Sequence, residues 1–409
     1  MKHILITTIT TLLLVGCGNT ELDDELMTAA WNGEIEDVKT LLDGGANVNA
    51  QFDDVTPLHD ASEKGNDKIV RLLISKGANV NANNIGHTPL HSALNYSFYK
   101  NGPHKKTVEA LIENGADINA KSKDGFTPLD AALLVERQKN LDNTISNFLR
   151  SKGAISGAKT SLLVAAKLGD VRSIKELIDG GAYVNKPTSR GNTLLHVAAG
   201  NGHKNAVELL LDNGSNINAI NKQGNTPLFK AVASRDKETV ELLIAKGADI
   251  KVDTGLSRLA IAYSNPDWSV EEQEQEKAER SEKIEMAKLL ILNGVDVNKI
   301  VSGNTALHIA TSTGNEEMAK LLIKSGSNIN ESNNGDQTPL HKSAFEGREI
   351  IVNLLIQNGA NVNPVIQSTG SFNGMTPLDF ALQKNKTKTA TLLRKHGGKT
   401  GEELKAVGK

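Results

Sequence analysis

The chain has 409 residues, and its 46 basic and 48 acidic residues give a formal net charge of −2. This near balance argues against a general nucleic-acid-binding protein, which needs a basic face to neutralise phosphates. The length is sufficient for two or three globular domains. Aromatic residues make up only 3% of the chain, whereas there are 36 glycines, as expected of a chain with many helix ends and turns.

The first segment of the chain, residues 1–16, has the pattern of a targeting sequence. Lys2 is followed by an apolar stretch from Ile4 to Leu14, and Cys17, the only cysteine, comes shortly after it. The stretch is too short to remain as a membrane-spanning helix and is typical of a secretory signal peptide. With a single cysteine, the fold cannot depend on an internal disulfide.

The end of this segment, Leu14-Val15-Gly16-Cys17, resembles the lipobox of bacterial lipoproteins. The resemblance implies cleavage before Cys17 and lipidation of Cys17, with residues 17–23 as a tether and the lipid anchor in a membrane. Gly18 stands where an aspartate would favour retention in the inner membrane, so we expect the outer membrane, facing the periplasm or the cell surface. The alternative is an ordinary secretion signal in which the cysteine is a coincidence.

One phrase is then repeated along nearly the whole chain. Its copies start at Asp24, Thr56, Thr88, Thr127, Thr160, Thr193, Thr226, Ser257, Thr305, Thr338 and Thr376. In the second copy, the hydroxyl of Thr56 is expected to cap a helix that begins at Pro57. A second helix follows with an apolar stripe from Ile69 to Leu73, and Gly77 ends it. Such self-similarity predicts a stack of helix pairs.

The phrase, with its Thr-Pro-Leu-His start, paired leucines, Gly-Ala and Asn-x-Asn, resembles the ankyrin repeat over nearly all of residues 24–409. The resemblance implies an all-α repeat solenoid of about eleven ankyrin repeats, each a helix-turn-helix followed by an extended turn. It also implies that a protein partner binds to the turn tips and the inner row of helices. The expected tips include Gln51 to Asp54, Lys121 to Asp124, Pro187 to Arg190, and Lys222-Gln223.

The organisation of the repeats leaves two interpretations open. Asp23 and Asp24 stand where an N-terminal cap belongs, yet residues 149–154 read like a closing repeat and residues 162–169 like an opening one. We therefore predict two consecutive arrays, residues 24–157 (repeats 1–4) and 158–409 (repeats 5–11). The alternative is one continuous solenoid with two weak repeats.

Five histidines occupy the same position of the repeat: His59, His91, His196, His308 and His341. The ankyrin resemblance implies that each imidazole hydrogen-bonds the turn of the neighbouring repeat. Successive layers would also hold these rings too far apart to share a zinc ion. We predict no catalytic residue, no metal site and no cofactor.

The insertions distinguish this chain from a regular array. The third repeat is lengthened around Tyr96, Phe98, Tyr99 and Lys100, where aromatic and cationic side chains suit an interface. The alternative is that these rings only fill the enlarged loop. A later insertion, residues 364–373, contains Phe372 and is interpreted either as a mobile finger or as a simple lengthening of the turn.

The eighth repeat carries the longest insertion, at about residues 264–283. Trp268 precedes a run of glutamates that includes Glu271 and Glu272. Ser269 and Glu272 have the spacing of a capping box, and Glu276 with Arg280 and Glu279 with Lys283 have the i,i+4 spacing of helical ion pairs. These spacings predict one helix from about Val270 to Leu292. We expect its first half to project beyond the stack and Trp268 to contact a partner. A solvated acidic helix face is the alternative.

These features favour a non-catalytic lipoprotein of the bacterial cell envelope that binds a protein partner and no nucleic acid. The combination resembles ankyrin lipoproteins that act as immunity proteins against secreted lipase or other toxin effectors. A second hypothesis is a housekeeping scaffold or accessory factor for an envelope or secreted enzyme. A third is a catalytic or ligand-carrying protein that uses the insertion between residues 257 and 305. The identity of the partner and the oligomeric state are not predicted by the sequence.

Overall fold

A computed structural model describes residues 20–84, 86–94, 104–138, 141–261 and 270–407. The predicted signal peptide, Cys17, the aromatic insertion from Tyr96 to Lys100, and Trp268 lie outside the described residues. Within those ranges the regular elements are α-helices and one 3-10 turn, Gly157–Lys159. The predicted all-α class is confirmed.

The chain divides into two compact units, Met1–Ala182 and Tyr183–Lys409. The helices of the first unit are Thr20–Asn32 (α1), Ile35–Asp43 (α2), Pro57–Glu63 (α3), Asp67–Ser75 (α4), Pro89–Leu94 (α5), Lys105–Glu113 (α6), Pro128–Gln138 (α7), Thr144–Ser151 (α8), Leu162–Leu168 (α9) and Val171–Asp179 (α10). Those of the second unit are Leu194–Gly200 (α11), Lys204–Asp212 (α12), Pro227–Ser234 (α13), Lys237–Ala245 (α14), Leu256–Leu259 (α15), Val270–Leu292 (α16), Ala306–Thr313 (α17), Glu316–Lys324 (α18), Pro339–Glu346 (α19), Glu349–Gln357 (α20), Pro377–Gln383 (α21), Thr387–Lys395 (α22) and Gly401–Val407 (α23). The division into arrays at residue 157 stays a prediction.

Each repeat buries one stripe from each of its two helices. In the second repeat the Thr56 side chain accepts a hydrogen bond at the start of α3, and Pro57 takes the first helical position. Leu58 and Leu73 are 1% and 0% exposed, so the apolar stripe faces the core. Leu72, predicted to belong to the stripe, is only half-buried because it lies at the edge of the α4 face.

Asparagine side chains of the Asn-x-Asn segments join seven of the repeats to the next one. Asn330 Nδ2 donates to the backbone carbonyl of Gly359 at 3.3 Å, and Asn330 Oδ1 accepts from the backbone amide of Asn361 at 2.8 Å. The same pair of bonds is made by Asn49, Asn81, Asn119, Asn185, Asn298 and Asn363. At these junctions the asparagines satisfy backbone groups that the turns would leave unpaired.

The first repeat completes this ladder with a different residue. The Asn47 amide donates to Asp23 Oδ1 at 2.7 Å, so Asp23 takes the place that an asparagine of a preceding repeat would occupy. Helix α1 begins at Thr20 and therefore includes residues 20–23, which the sequence placed in the tether.

The repeated histidines form a second set of connections. In the ninth repeat the Thr305 amide lies 3.3 Å from His308 Nδ1, and His308 Nε2 lies 2.8 Å from the carbonyl oxygen of Gln337 in the next turn. The corresponding Nε2 contacts of the other four rings reach the carbonyls of His87, Phe126, Asn225 and Met375. Since Nδ1 accepts and Nε2 donates, each ring is the neutral Nε2–H tautomer. The predicted structural role of these histidines is confirmed.

In the fourth and last repeats an aspartate replaces the histidine and reverses the direction of the bond. Asp130 Oδ2 accepts from the Thr127 and Gly157 amides, both at 2.8 Å. Asp379 Oδ2 accepts from the Gly401 amide, also at 2.8 Å. A carboxylate cannot donate, so the next turn must present an amide instead of a carbonyl. Residues 157–159 and helix α23 supply that amide.

Helix α23 was not predicted from the sequence. The Thr400 amide donates to Glu403 Oε2 at 2.8 Å, and the Glu403 amide donates to Thr400 Oγ1 at 3.2 Å. This reciprocal pair is a capping box, and its Thr-x-x-Glu spacing is a signal that could have located the helix. Arg394 contacts the same carboxylate at 2.5 Å and, through its side-chain hydrogen bond, helps to lower the pKa of Glu403 to about 2.

The longest helix, α16, has 23 residues and is rich in glutamate and lysine. Among the described residues, no helix combines the length and the apolar character needed to cross a membrane.

Candidate protein-binding surface

The turns before the odd-numbered helices of the regular repeats are held by short polar side chains. Asn221 Oδ1 accepts from the amides of Gln223 and Asn225 at 2.9 and 3.0 Å, and its Nδ2 donates to Asn192 of the preceding turn at 2.6 Å. Asn333 makes the corresponding bonds. These Asx turns fix the tips before any partner arrives, which lowers the entropy lost on binding.

The structure exposes most of the predicted tip residues. Within the four predicted tips, Ser122 is buried and Thr188 is half-buried. Ser122 Oγ accepts from the Phe126 amide at 3.1 Å, and Thr188 Oγ1 accepts from the Asn192 amide at 3.2 Å. These two side chains therefore hold their turns and are not partner contacts.

Two tips also carry exposed apolar side chains that the sequence did not single out. Phe52 of the first unit is 67% exposed and Ile220 of the second is 66% exposed. Large apolar side chains on a polar rim are common anchors of protein interfaces. The signal was available in the sequence, because both stand at turn positions where lysine, asparagine or serine occur in other repeats.

Phe372, a predicted partner contact, belongs to an aromatic cluster. Its ring lies 5.1 Å from that of Phe380, which lies 5.7 Å from Phe345. The insertion that carries it is anchored, because the Ile366 amide donates to Met375 at 3.1 Å and Ile366 is 1% exposed. Since Phe372 remains 38% exposed, part of its ring is available to a partner and the rest packs within the fold.

The predicted helix in the eighth repeat is confirmed from Val270 to Leu292. The two predicted ion pairs are present, with Arg280 2.8 Å from Glu276 and Lys283 3.1 Å from Glu279. The side chains of Glu271 and Glu272 and the capping residue Ser269 lie outside the described residues.

Arg235 connects this helix to the seventh repeat. It lies 2.8 Å from Glu279 and 3.2 Å from Glu282, so the middle of α16 is tied to the end of α13. Arg235 has a φ of +61° at a helix end where several other repeats have glycine. An arginine in the left-handed region costs roughly 1 kcal/mol, which the two ion pairs help to offset.

We expect Arg235→Gly to leave the free energy of unfolding within about 1 kcal/mol of the wild type, because relief of the left-handed backbone offsets the lost pairs. Backbone amides of residues 273–282 should nevertheless exchange faster with deuterium. Asn385→Gly is the matched control, since Asn385 has a φ of +55° at the same repeat position. Unchanged exchange in α16 with Arg235→Gly would show that Arg235 does not hold the helix.

An open cleft of about 540 Å³ lies in the first unit, and its lining includes His104, Lys106, Glu136 and Thr144. Glu136 Oε1 caps α8 by accepting from the Ile145 amide at 2.8 Å. Residues 95–103, which precede this lining, are outside the described ranges. No group of three or more histidine, cysteine or acidic side chains suited to a metal ion occurs in the described part of the chain.

Three segments, residues 26–122, 162–254 and 277–366, match the family model for ankyrin repeats, and together they cover more than half of the chain. No curated protein matches the chain significantly. Among solved structures, the crystal structure of the human ASB11 ankyrin repeat domain is similar, with 24% sequence identity and a TM-score of 0.44. That match covers 57% of this chain and 96% of the other.

Proposed function

The chain belongs to the ankyrin repeat family, and from this premise we propose that it is a non-catalytic envelope lipoprotein that holds one protein partner on its repeats. Ankyrin repeats are scaffolds for protein–protein interaction and are generally not catalytic. The observation that carries the proposal is the set of fixed, exposed turn tips in each unit, of which those with Phe52 and Ile220 present apolar side chains to solvent. Rigid tips with apolar anchors favour binding over chemistry.

The finer proposal is that the partner is a toxin or lipase effector and that binding blocks it. The support is the combination of a lipobox-like sequence at Cys17 with an ankyrin array. A lipid anchor in the outer membrane would keep the inhibitor in the compartment where an incoming effector must act. Two hydrophobic anchors or more are needed for stable attachment, which a lipidated N-terminal cysteine provides.

A genetic experiment tests the immunity proposal. A strain that lacks the gene should become sensitive to sister cells, and the wild-type gene should restore protection. Cys17→Ser should restore it poorly, because the protein would no longer be anchored. A deletion strain that grows normally beside sister cells would speak against immunity. A defect that appears without competitors would favour the rival role, a housekeeping scaffold for an envelope or secreted enzyme.

A biochemical experiment tests partner binding itself. The full-length protein, solubilised in mild detergent, is used to capture proteins from envelope and secreted fractions. We expect one protein in stoichiometric amount. A secreted lipase or toxin whose activity is blocked in the complex supports immunity, whereas a resident envelope protein that stays active supports the scaffold. Absence of any stoichiometric partner from both fractions would contradict the binding function.

A further inference from the structure

Four successive repeats, the fifth to the eighth, each contribute one cationic side chain to a group in the second unit, which we call the basic cluster: Arg190, Lys222, Lys230 and Arg258. Arg190 and Lys222 stand on neighbouring tips, where the Lys222 amide donates to the Arg190 carbonyl at 3.3 Å. Lys230 lies on α13 and Arg258 on α15. Arg190, Lys222 and Arg258 are exposed, and Lys230 is half-buried.

The fold supports the stems of these side chains. A Cβ at Gly191 would lie 3.1 Å from Lys222 Cγ, and one at Gly200 would lie 3.4 Å from Lys230 Cβ. Both glycines therefore leave room for a lysine stem to lie against the backbone of the preceding repeat. The Arg258 guanidinium carbon is 5.5 Å from the centre of the Phe229 ring, within range of a cation–π contact.

Four like charges lie close together at this surface. Within the described residues none of the four side chains forms an ion pair, whereas Lys204 of the same unit pairs with Glu238. Burial lowers the pKa of Lys230, and repulsion by Arg258 and Arg190 lowers it further. Such an arrangement is unfavourable in the free protein and becomes favourable when an anion neutralises it.

An apolar side chain lies next to these charges. Ile220 is two residues from Lys222 on the same tip and is 66% exposed. Phe229 stands where other repeats have the histidine of the Thr-Pro-Leu-His start, and its ring lies near Gly255. The same ring contacts the Arg258 guanidinium. A surface that combines cations with one apolar anchor matches a polypeptide with acidic and apolar side chains.

We propose that the basic cluster and Ile220 form the docking surface for an acidic segment of the partner protein, with an apolar side chain of that segment against Ile220. This inference rests on the proposed binding function and names the chemistry of the partner. A peptide is favoured over an extended polyanion because the chain as a whole has a net charge of −2, which opposes binding to nucleic acid or an anionic membrane.

Defined probes test the proposal on the full-length protein. The acidic probe is a fluorescein-labelled peptide that repeats Asp-Glu-Leu, and the two comparison probes replace its acids with amides or with lysines. Fluorescence anisotropy should show about tenfold or tighter binding of the acidic probe than of the amide probe. The affinity should fall when the salt concentration rises from about 50 mM to about 500 mM.

The variants locate the site. Lys222→Glu combined with Lys230→Glu should weaken binding of the acidic probe by about tenfold or more. The matched control is Lys388→Glu combined with Lys395→Glu, which makes the same charge change at exposed positions of α22. Equal effects of the two pairs would overturn the proposal, because they would reflect net charge alone. Equal binding to a DNA duplex or to phosphatidylglycerol vesicles would also overturn it in favour of a general polyanion surface.

The capture experiment separates this inference from the proposed function. If the wild type and the Lys222→Glu, Lys230→Glu variant capture the same partner equally well, the binding function stands and the docking surface is refuted. If the wild type captures a partner that the variant loses, both stand. If neither protein captures a partner, the binding function itself fails.

Discussion

Acidification from about pH 7 to about pH 4.5 will lower the free energy of unfolding of this protein, and the repeated histidines will be a main cause. Burial lowers the pKa of His91, His308 and His341 from the usual 6.5 to about 4. Each ring uses Nδ1 as an acceptor for its own helix cap, so a proton there would break that bond.

The direction of this effect follows from proton binding in the two states. Between pH 6.5 and about 4 the unfolded chain protonates these rings, and the folded protein does not. Stability is therefore fully present above pH 6.5 and is lost as the pH falls through this window. A shift of this size corresponds to about 3 kcal/mol for each ring.

One substitution isolates the contribution of a single ring. His308→Gln keeps a donor that can reach the Gln337 carbonyl but removes the titrating group. At pH 7 we expect the variant to be less stable by about 1–2 kcal/mol. The difference should shrink or reverse by pH 4.5, because only in the wild type must that ring lose its proton on folding. Urea unfolding followed by circular dichroism at several pH values measures it.

At each pH, subtracting the free energy of unfolding of His308→Gln from that of the wild type cancels the contributions of the other titrating groups. Asp60 needs this treatment, because burial, followed by repulsion from Glu63, raises its pKa to about 7. Asp60 therefore stabilises the folded state at low pH, in the direction opposite to the histidines. A difference between wild type and His308→Gln that stays constant with pH would contradict the predicted linkage.

Much of the fold follows from the sequence because ankyrin contacts are local and periodic. The Thr-Pro-Leu-His start predicted both the cap at Thr56 and the histidine connection, and each is present. The bounds of α16 were predicted because Glu276–Arg280 and Glu279–Lys283 have helical spacing. In such an array each repeat contacts only its neighbours, so a local pattern determines most of the packing.

The candidate surface was less accessible to sequence analysis. Arg190 and Arg258 of the basic cluster are far apart in the chain and come together only because each repeat places its tip beside the next. The connection from Arg235 to Glu279 and Glu282 also joins separate repeats. The repeat period predicts the position of each residue within its repeat. It does not predict whether a cation at that position forms an ion pair with an acidic side chain of a neighbouring repeat.

Gly157→Ala will destabilise the first unit more than other glycine substitutions nearby. An added Cβ would overlap the carbonyl oxygen of Gly125 and lie 2.9 Å from Asp130 Oδ2, so the amide could not keep its bond to that carboxylate. Both contacts are to atoms held by backbone or by hydrogen bonds. We expect a loss of about 2–4 kcal/mol in the free energy of unfolding.

Gly153→Ala is the matched control for this prediction. Gly153 has a φ of +90°, but no heavy atom lies within 4 Å of an added Cβ. The control should therefore cost only about 1 kcal/mol, from the left-handed backbone. Urea unfolding gives the two free energies, and hydrogen exchange in α7 and α8 shows where the loss lies. Equal losses would mean that the Asp130 connection does not stabilise the unit.

The same comparison bears on the proposed division into two arrays. Asp130 accepts from the Gly157 amide as Asp379 accepts from the Gly401 amide, whereas the repeats with a histidine at this position present a carbonyl in the next turn. We predict that the change of connection at Gly157 marks the place where one array ends and another begins. Limited proteolysis should then cut preferentially between residues 150 and 162, and Gly157→Ala should accelerate the cut. A wild-type protein without a preferred cut there would favour one continuous solenoid.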